Sequence, residues 1–467
     1  MKSDTTRRAN WWNFRLWALN AAIVLFSPLI LLQKWRRYRK KRYFYEIDSW
    51  RWSARLPESW SQPATPRIVS PGAPRVVFVG SGIGELKTIE CLSDLLEKER
   101  PDVHVVWALR GREVCELARK EHPERELATV PFEFIWPLWK WARALKPDVV
   151  VIVEKLWTPN LIWVSRCSGA AVVAANTNAR AEPFSTRSRI WAPINAWSLR
   201  GLDVLCLQRE RDGQALKTLT APDADVRVCG VVKFESSTRS DENESEEKLS
   251  SLGAWLKNTQ KVPLLIAGST HPQEEDFVLD AWEEVRKTVP CALVIAPRRV
   301  ERTPEIEALI QARGWKTWRR SQWQDEIADQ TAKPESFDFD NPTVYILDSL
   351  GELATVYQLG VASFVGGTLY EIGHNVVEPL VCGIPCAFGL GNGRDNAAKH
   401  MRDICRDAGV GFEVTSPPQL AAHWREVVTD AALREHLREQ TCVLLQRHRG
   451  AAARNVEAII QHLPNAK

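Results

Sequence analysis

Short apolar runs alternate with longer amphipathic ones over most of this chain, and that rhythm limits the fold more than any other feature. "RVVFVG" (75–80) is followed by a helix-like stretch over Leu86–Arg100, then "VHVVWAL" (103–109), another helix, and "VVVIVE" (149–154). "GAAVVAANT" (169–177) and "DVLCLQ" (203–208) continue the series. Such alternation predicts a parallel sheet covered by helices. The polar stretch "ESSTRSDENESEEKLSSLG" (235–253) interrupts the series and reads as a solvated linker. The rhythm then restarts with "PLLIAGS", "CALVIAP", "TVYILD" and "VASFVGG". The expected fold is therefore α/β, with two doubly wound, Rossmann-like halves whose strand carboxyl ends face a cleft. Residues 319–343 read as an irregular surface insertion in the second half.

At 467 residues the chain is long enough for two or three domains. The net charge of +4 is concentrated in Arg36, Arg37, Arg39, Lys40, Lys41 and Arg42, leaving the remainder close to neutral. This argues against a broad basic face for nucleic acid. Ten cysteines include no C-x-x-C, and Cys206, Cys229 and Cys291 lie in or beside apolar runs. Cys382 and Cys386 form the closest pair, without histidines at ligand spacing. Small buried thiols in a reducing compartment are the expected reading, with a structural zinc site as the alternative.

Residues 16–32, "LWALNAAIVLFSPLILL", carry no charge, with Trp11, Trp12 and Trp17 at one end and Trp35 and the basic cluster at the other. A helix of this length covers about 25 Å, the lower limit for a bilayer core of about 30 Å. Flanking aromatics and one-sided positive charge predict a membrane anchor, spanning or kinked at Pro28, with the rest of the chain on the cytoplasmic side. The expected domains are the anchor and basic flank (1–45), a first domain (46–235), a linker (236–254) and a second domain (255–467). The tryptophan-rich "PFEFIWPLWKWARALK" (131–146) reads either as core or as a surface lying on lipid headgroups.

The loop "VGSGIGELKT" (79–88) fits neither familiar nucleotide pattern. A dinucleotide fingerprint needs glycine where Glu85 stands, and a P-loop needs Gly-Lys-Ser/Thr where Leu86-Lys87-Thr88 stand. A carboxylate at a helix start also repels phosphate. Glu85 is therefore either the point of the loop, as a catalytic base with glycines leaving space beside it, or a helix-start carboxylate favoured by the dipole.

In the second half, Ser269, Thr270 and His271 follow one strand and Arg298 the next. "DSLGELATVY" brings Ser349, Leu350, Gly351 and Glu352 to a helix start, and "VGGTLYEIGHNVVEPL" groups Gly367, Thr368, His374, Asn375 and Glu378. Hydroxyls, small residues and free helix-start N–H groups, with an arginine, suit a nucleotide phosphate; Glu378 suits ribose hydroxyls. Arg110, Arg112 and Arg180 in the first half suit an anionic acceptor or are solvated loop charges. No aspartate-rich pair stands out for magnesium, so metal-independent chemistry without a cofactor is expected.

These segments carry a resemblance. "GSTHPQEE", "PRRVER", "DSLGEL", "FVGGTL" and "GHNVVEP", with "SGIGE", "NAR" (178–180) and "VVKFE" (231–235), resemble successive motifs of the bacterial 3-deoxy-D-manno-octulosonic acid (Kdo) transferases. The resemblance implies a membrane-anchored GT-B glycosyltransferase that moves Kdo from CMP-Kdo to a lipid A precursor at the cell inner membrane. It implies Glu85 as catalytic base, Lys233, Arg298 and Glu378 around the donor, and Glu154 on the acceptor side. Three loops depart from the family: 80–83, "ALRGREV" (108–114) and "VEKLWTPN" (153–160). They favour, as alternatives, a paralogous glycosyltransferase with another sugar or acceptor; a decayed nucleotide-binding protein is the remaining reading.

Overall fold

The computed structural model describes residues 20–21, 72–131, 133–154, 159–178, 196–210, 213–236, 242–256, 259, 262–327, 342–370, 375–391 and 396–464. The expected anchor (apart from Asn20 and Ala21), its basic flank, Arg180 and His374 lie outside these residues, as does the side chain of Arg112. No helix among the described residues is long and apolar enough to cross a membrane. The chain divides into two compact units, Met1–Ser236 with Gly450–Lys467, and Ser237–Arg449.

The first unit is built on strands β1 (Arg75–Gly80), β2 (His104–Leu109), β3 (Leu127–Thr129), β4 (Val149–Val153), β5 (Ala171–Thr177), β6 (Val204–Leu207) and β7 (Asp225–Val228). They pair in the order β3-β2-β1-β4-β5-β6-β7, all parallel. Alternate residues feed two cores: Val76 and Phe78 enter one, Val77 and Val79 the other. Burial on both faces explains why the central strands read as unbroken apolar runs. Helix α1 (Ile83–Glu99) covers the first face with Leu86, Ile89, Leu92 and Leu96, a stripe at helical spacing. Helices α2 (Ile135–Leu145) and α3 (Pro159–Cys167) cover the second. The tryptophan-rich segment splits: Leu138 and Trp141 are core, Trp139 packs at the edge of Trp163, and Trp136 is 67% exposed.

The second unit holds β8 (Leu264–Thr270), β9 (Ala292–Pro297), β10 (Lys316–Arg319), β11 (Thr343–Ile346), β12 (Ala362–Val365), β13 (Cys386–Phe388) and β14 (Gly411–Glu413). Their order is β10-β11-β9-β8-β12-β13-β14, again parallel. Leu265 and Ala267 face one core, Leu264 and Ile266 the other. Helices α4 (Glu274–Arg286) and α5 (Pro417–Thr429) pack on the first of these cores, with Trp282 and Trp424 fully buried.

Three expectations differ from what is observed. The stretch taken for a linker is helical from Glu242 to Trp255, and Leu252 and Trp255 are buried in the second unit's core. The first part of the supposed insertion is regular, because Arg319 ends a strand and Arg320–Ile327 is a helix with Arg320 buried; residues 328–341 lie outside the described residues. The second unit ends at Arg449 rather than running to the carboxyl terminus. The last helix, α6 (Ala451–Ile460), lies against α1, burying Ala451, Ala452, Val456 and Ile459 in the first unit. Glu235 fixes its start by accepting the N–H groups of Ala451 and Ala452, both at 2.9 Å.

His423 on α5 stacks on Phe412 at 3.8 Å, and burial lowers its pKa from the ordinary 6.5 to about 4. The unfolded chain therefore takes up this proton first as pH falls. Stability held above about pH 6.5 is lost toward pH 4, amounting to about 2 kcal/mol between pH 7 and pH 5 from this group. Urea unfolding at the two pH values should show a smaller loss for His423→Phe than for the wild type; equal losses contradict the assignment.

Candidate active site

Strand order reverses between β1 and β4 in the first unit, and polar side chains gather at the carboxyl ends of those strands, where doubly wound sheets bind ligands. Ser81 and Gly82 turn the chain from β1 into α1, and Glu85 sits in the helix's first turn with 5% exposure. Its Oε2 accepts the Ser81 N–H, the Ser81 hydroxyl (3.2 Å) and the Gly82 N–H (3.2 Å). The carboxylate thus folds back as the acidic half of a capping box. The glycines serve close approach more than open space. A Cβ at Gly80 would stand 2.7 Å from Ile89 Cδ1, and one at Gly84 3.4 Å from Lys233 Nζ.

Glu154 follows β4 with φ +62°, a conformation rare for residues other than glycine, and is also 5% exposed. Its Oε1 accepts the Thr88 hydroxyl (3.1 Å) and the Asn176 amide (3.3 Å). Lys233 Nζ lies 3.1 Å from Oε1 and 3.3 Å from Oε2. A buried carboxylate needs such partners, since stranding one costs several kcal/mol. Asn176, itself at φ +48° in the irregular end of β5, accepts the Val232 N–H at 3.1 Å and so holds the approach to Lys233.

Arg110, after β2, gives its backbone N–H to Gly80 O (2.9 Å) and its guanidinium to Glu133 at 3.2 Å. Glu133 also accepts the N–H groups of Asn160 (3.0 Å) and Leu161 (3.1 Å) at the start of α3. Burial raises its pKa above the usual glutamate value, against the pull of Arg110 and those N–H groups. Arg110 is one-third exposed, so part of its fork faces solvent. Asn160 also accepts a hydrogen bond from Asn20 at 2.8 Å.

In the second unit the reversal falls between β8 and β12. Their loops nearly touch: a Cβ at Gly366 would lie 2.4 Å from Ser269 O. Glu274, fully buried, pins them by accepting the N–H groups of His271 (3.0 Å), Gly367 (2.6 Å) and Leu369 (3.0 Å). Burial nevertheless holds its pKa above the ordinary value. Ser269 has φ +55°, and the fully buried Thr270 hydroxyl has no hydrogen-bond partner among the described residues. Thr368 bridges Val365 O and the Gly389 N–H. Arg298 donates its N–H to Thr270 O at 3.0 Å and extends an exposed side chain from the same edge.

The loop after β11 is clamped from β10 and the helix that follows it. Arg319 binds Asp348 at 2.9 Å, and the buried Arg320 grips Glu352 with two bonds of 2.7 and 3.0 Å; Ser349 also donates to Glu352. Leu350 stands 80% exposed, and Gly351 takes φ +82°. Asn375 bonds Glu378 at 3.3 Å and accepts the Val377 N–H at 3.2 Å. Tyr357, whose pKa burial and then Glu378 push up, packs tightly under Gly268, where a Cβ would lie 1.9 Å from its hydroxyl. The structure thus brings Ser269, Thr270, His271, Gly367 and Thr368 together and carries Arg298 to the same edge. Lys233, expected beside the donor, is paired with Glu154 in the first unit. Asn176, Glu133, Glu274 and Arg320 escaped the sequence reading. Only Glu274 carried a signal, as part of "GSTHPQEE".

Two parallel seven-stranded sheets with polar carboxyl edges define an α/β protein, and its structural neighbours include glycosyltransferases of the GT-B architecture. MurG of Acinetobacter baumannii matches with a TM-score of 0.52 at 14% identity, covering 83% of this chain and 99% of that one. A glycosyltransferase from Rickettsia africae matches at 0.51 and 12%, covering 85% and 100%. By sequence the likeness is narrower. Residues 51–236 match the family of 3-deoxy-D-manno-octulosonic-acid transferases (kdotransferase). The 3-deoxy-D-manno-octulosonic acid transferase of Aquifex aeolicus is 24% identical over 75% of this chain and 84% of its own length. That of Haemophilus influenzae is 26% identical over 72% and 74%. These relatives indicate a glycosyltransferase, and the resemblance to the Kdo transferase family holds.

Glu274→Ala would strand three backbone N–H groups at the β8–β12 edge, a loss of about 3 kcal/mol. Denaturant unfolding should show that fall in stability; an unchanged midpoint contradicts the pinning role.

Proposed function

We propose that the protein transfers Kdo from CMP-Kdo to a lipid A precursor (lipid IVA), as an inverting enzyme of lipopolysaccharide biosynthesis. The observation that carries this reading is Glu85, set at the carboxyl edge of β1 beside the Glu154–Lys233 pair. The sequence relatives, named for this transfer, supply the substrates. The acceptor hydroxyl gives its proton to Glu85 while its oxygen bonds the anomeric carbon of Kdo. The bond from that carbon to the phosphate oxygen breaks, and CMP leaves with the electron pair. Loop N–H groups held on one carboxylate oxygen fix the aim of Glu85, which a general base requires. In the second unit, Arg298 and the N–H groups of the loop after β11 supply the cation and the donors that the CMP phosphate needs. Residues 16–32 anchor the chain in the inner membrane, with both units on the cytoplasmic side.

A paralogous enzyme with a different acceptor is the second reading. It is favoured by Arg110, which pairs with Glu133 and stands in the loop 108–114 where the sequence departs from the family.

The test is transfer by purified protein with CMP-Kdo and lipid IVA, wild type against Glu85→Gln. The expected result is CMP release coupled to a Kdo-bearing lipid, reduced by about 10²- to 10⁴-fold in the variant while CMP-Kdo binding persists. Donor binding without transfer by the wild type moves the assignment to another acceptor or to a decayed binding protein; no donor binding overturns it.

A further inference from the structure

The last helix of the chain, far in sequence from every motif above, reaches the acid–base cluster directly. Asn455 on α6 is fully buried, and its Oδ1 accepts the N–H of Asn176 at 2.9 Å; its own amide donates to Ala451 O at 2.7 Å. Asn176 is bound on all sides. Its carbonyl accepts the Gln208 amide (2.9 Å), its Oδ1 accepts the Val232 N–H (3.1 Å), and its Nδ2 donates to Glu154 (3.3 Å). The left-handed backbone of Asn176 turns its N–H toward α6 and its side chain toward Glu154. Glu154 in turn holds Lys233, whose ammonium lies over Gly84 in the Glu85 loop. Two further ties secure α6: Glu235 on its first N–H groups, and Arg454 on Cys229 O at 2.9 Å.

We infer that Asn455 is a positioning residue for transfer, acting through Asn176 and Glu154 to hold Lys233 beside the Glu85 loop. The chain leaves the first unit at Ser236 and re-enters it at Gly450, so α6 can form this contact only after the second unit is complete in sequence. The Asn455 contact is therefore the last part of the cluster that the chain supplies. This role rests on the transfer reading for its kinetic consequence but not for its effect on Lys233.

The test compares full-length wild type with Asn455→Ala, Asn455→Asp and Val456→Ala. Val456 is equally buried on α6 and serves as a packing control that leaves Asn176 untouched. Asn455→Ala should lower kcat by about tenfold or more with KM for CMP-Kdo changed less than about twofold, as for a small misplacement of a catalytic group. Asn455→Asp keeps the acceptor oxygen for Asn176 and should recover most of that loss. Val456→Ala should lose stability but keep kcat. A second readout needs no activity: modification of Lys233 by an amine-reactive reagent at pH 8, followed by mass spectrometry. It should speed up about fivefold or more in Asn455→Ala, as the ion pair loosens, and stay near the wild-type rate in Val456→Ala. If the wild type shows no Kdo transfer, the functional reading fails while the labelling arm still decides this one. Unchanged labelling and kcat in Asn455→Ala, or equal changes in Val456→Ala, overturn the positioning role.

Discussion

The buried ion pair between Glu154 and Lys233 is the interaction on which the first unit's site depends. A carboxylate with 5% exposure persists only where its charge and lone pairs are met, and here an ammonium, a hydroxyl and an amide meet them. Those partners come from α1, from β5 and from the segment after β7, so the pair ties together parts of the chain far apart in sequence. The positive φ of Glu154 is the local strain that this geometry imposes, and the surrounding hydrogen bonds hold it in place. Glu85 lies within this frame. Its loop is closed by its own carboxylate on one side and neighbours Lys233 on the other.

The second unit solves the same problem with different residues. Glycine-bearing loops at the switch point carry backbone N–H groups that need acceptors, and Glu274 supplies them from the first turn of α4. Arg320 plays the opposite part, a buried cation held by Glu352 and Ser251 beneath the loop after β11. In both units the exposed carboxyl edge is shaped by charged groups hidden one layer below it. Substitutions in that layer should therefore act on the edge without touching a ligand.

The central strands were legible because each is buried on both faces and reads as an apolar run, whereas partly exposed strands such as Asp225–Val228 and Lys316–Arg319 were not. The motifs at the strand ends were legible for a related reason, as glycines and hydroxyls interrupt those runs where the backbone must turn. The allegiance of α6 was not, since nothing local in "AAARNVEAII" says which unit its apolar stripe will cover. That choice is made by the fit to α1 and by Asn455. The polar stretch before β8 misled because its charges hide Leu252 and Trp255, three apart on one helical face. Lys233 could be seen as functional from "VVKFE", but its partner could not. Pairing with Glu154 depends on strand order, which places β4 next to β1 and leaves the approach from β7 to cross above them.

The most direct measurement is a double-mutant cycle on Glu154 and Lys233, with Glu154→Gln, Lys233→Met and the double variant compared for unfolding free energy and for kcat. If the pair organises the site, the double variant loses less stability than the sum of the singles, by about 1–3 kcal/mol, and its kcat falls little below that of the worse single. Additive losses in both quantities would mean that the two residues act independently, and the account of the site as one organised around their ion pair would be wrong.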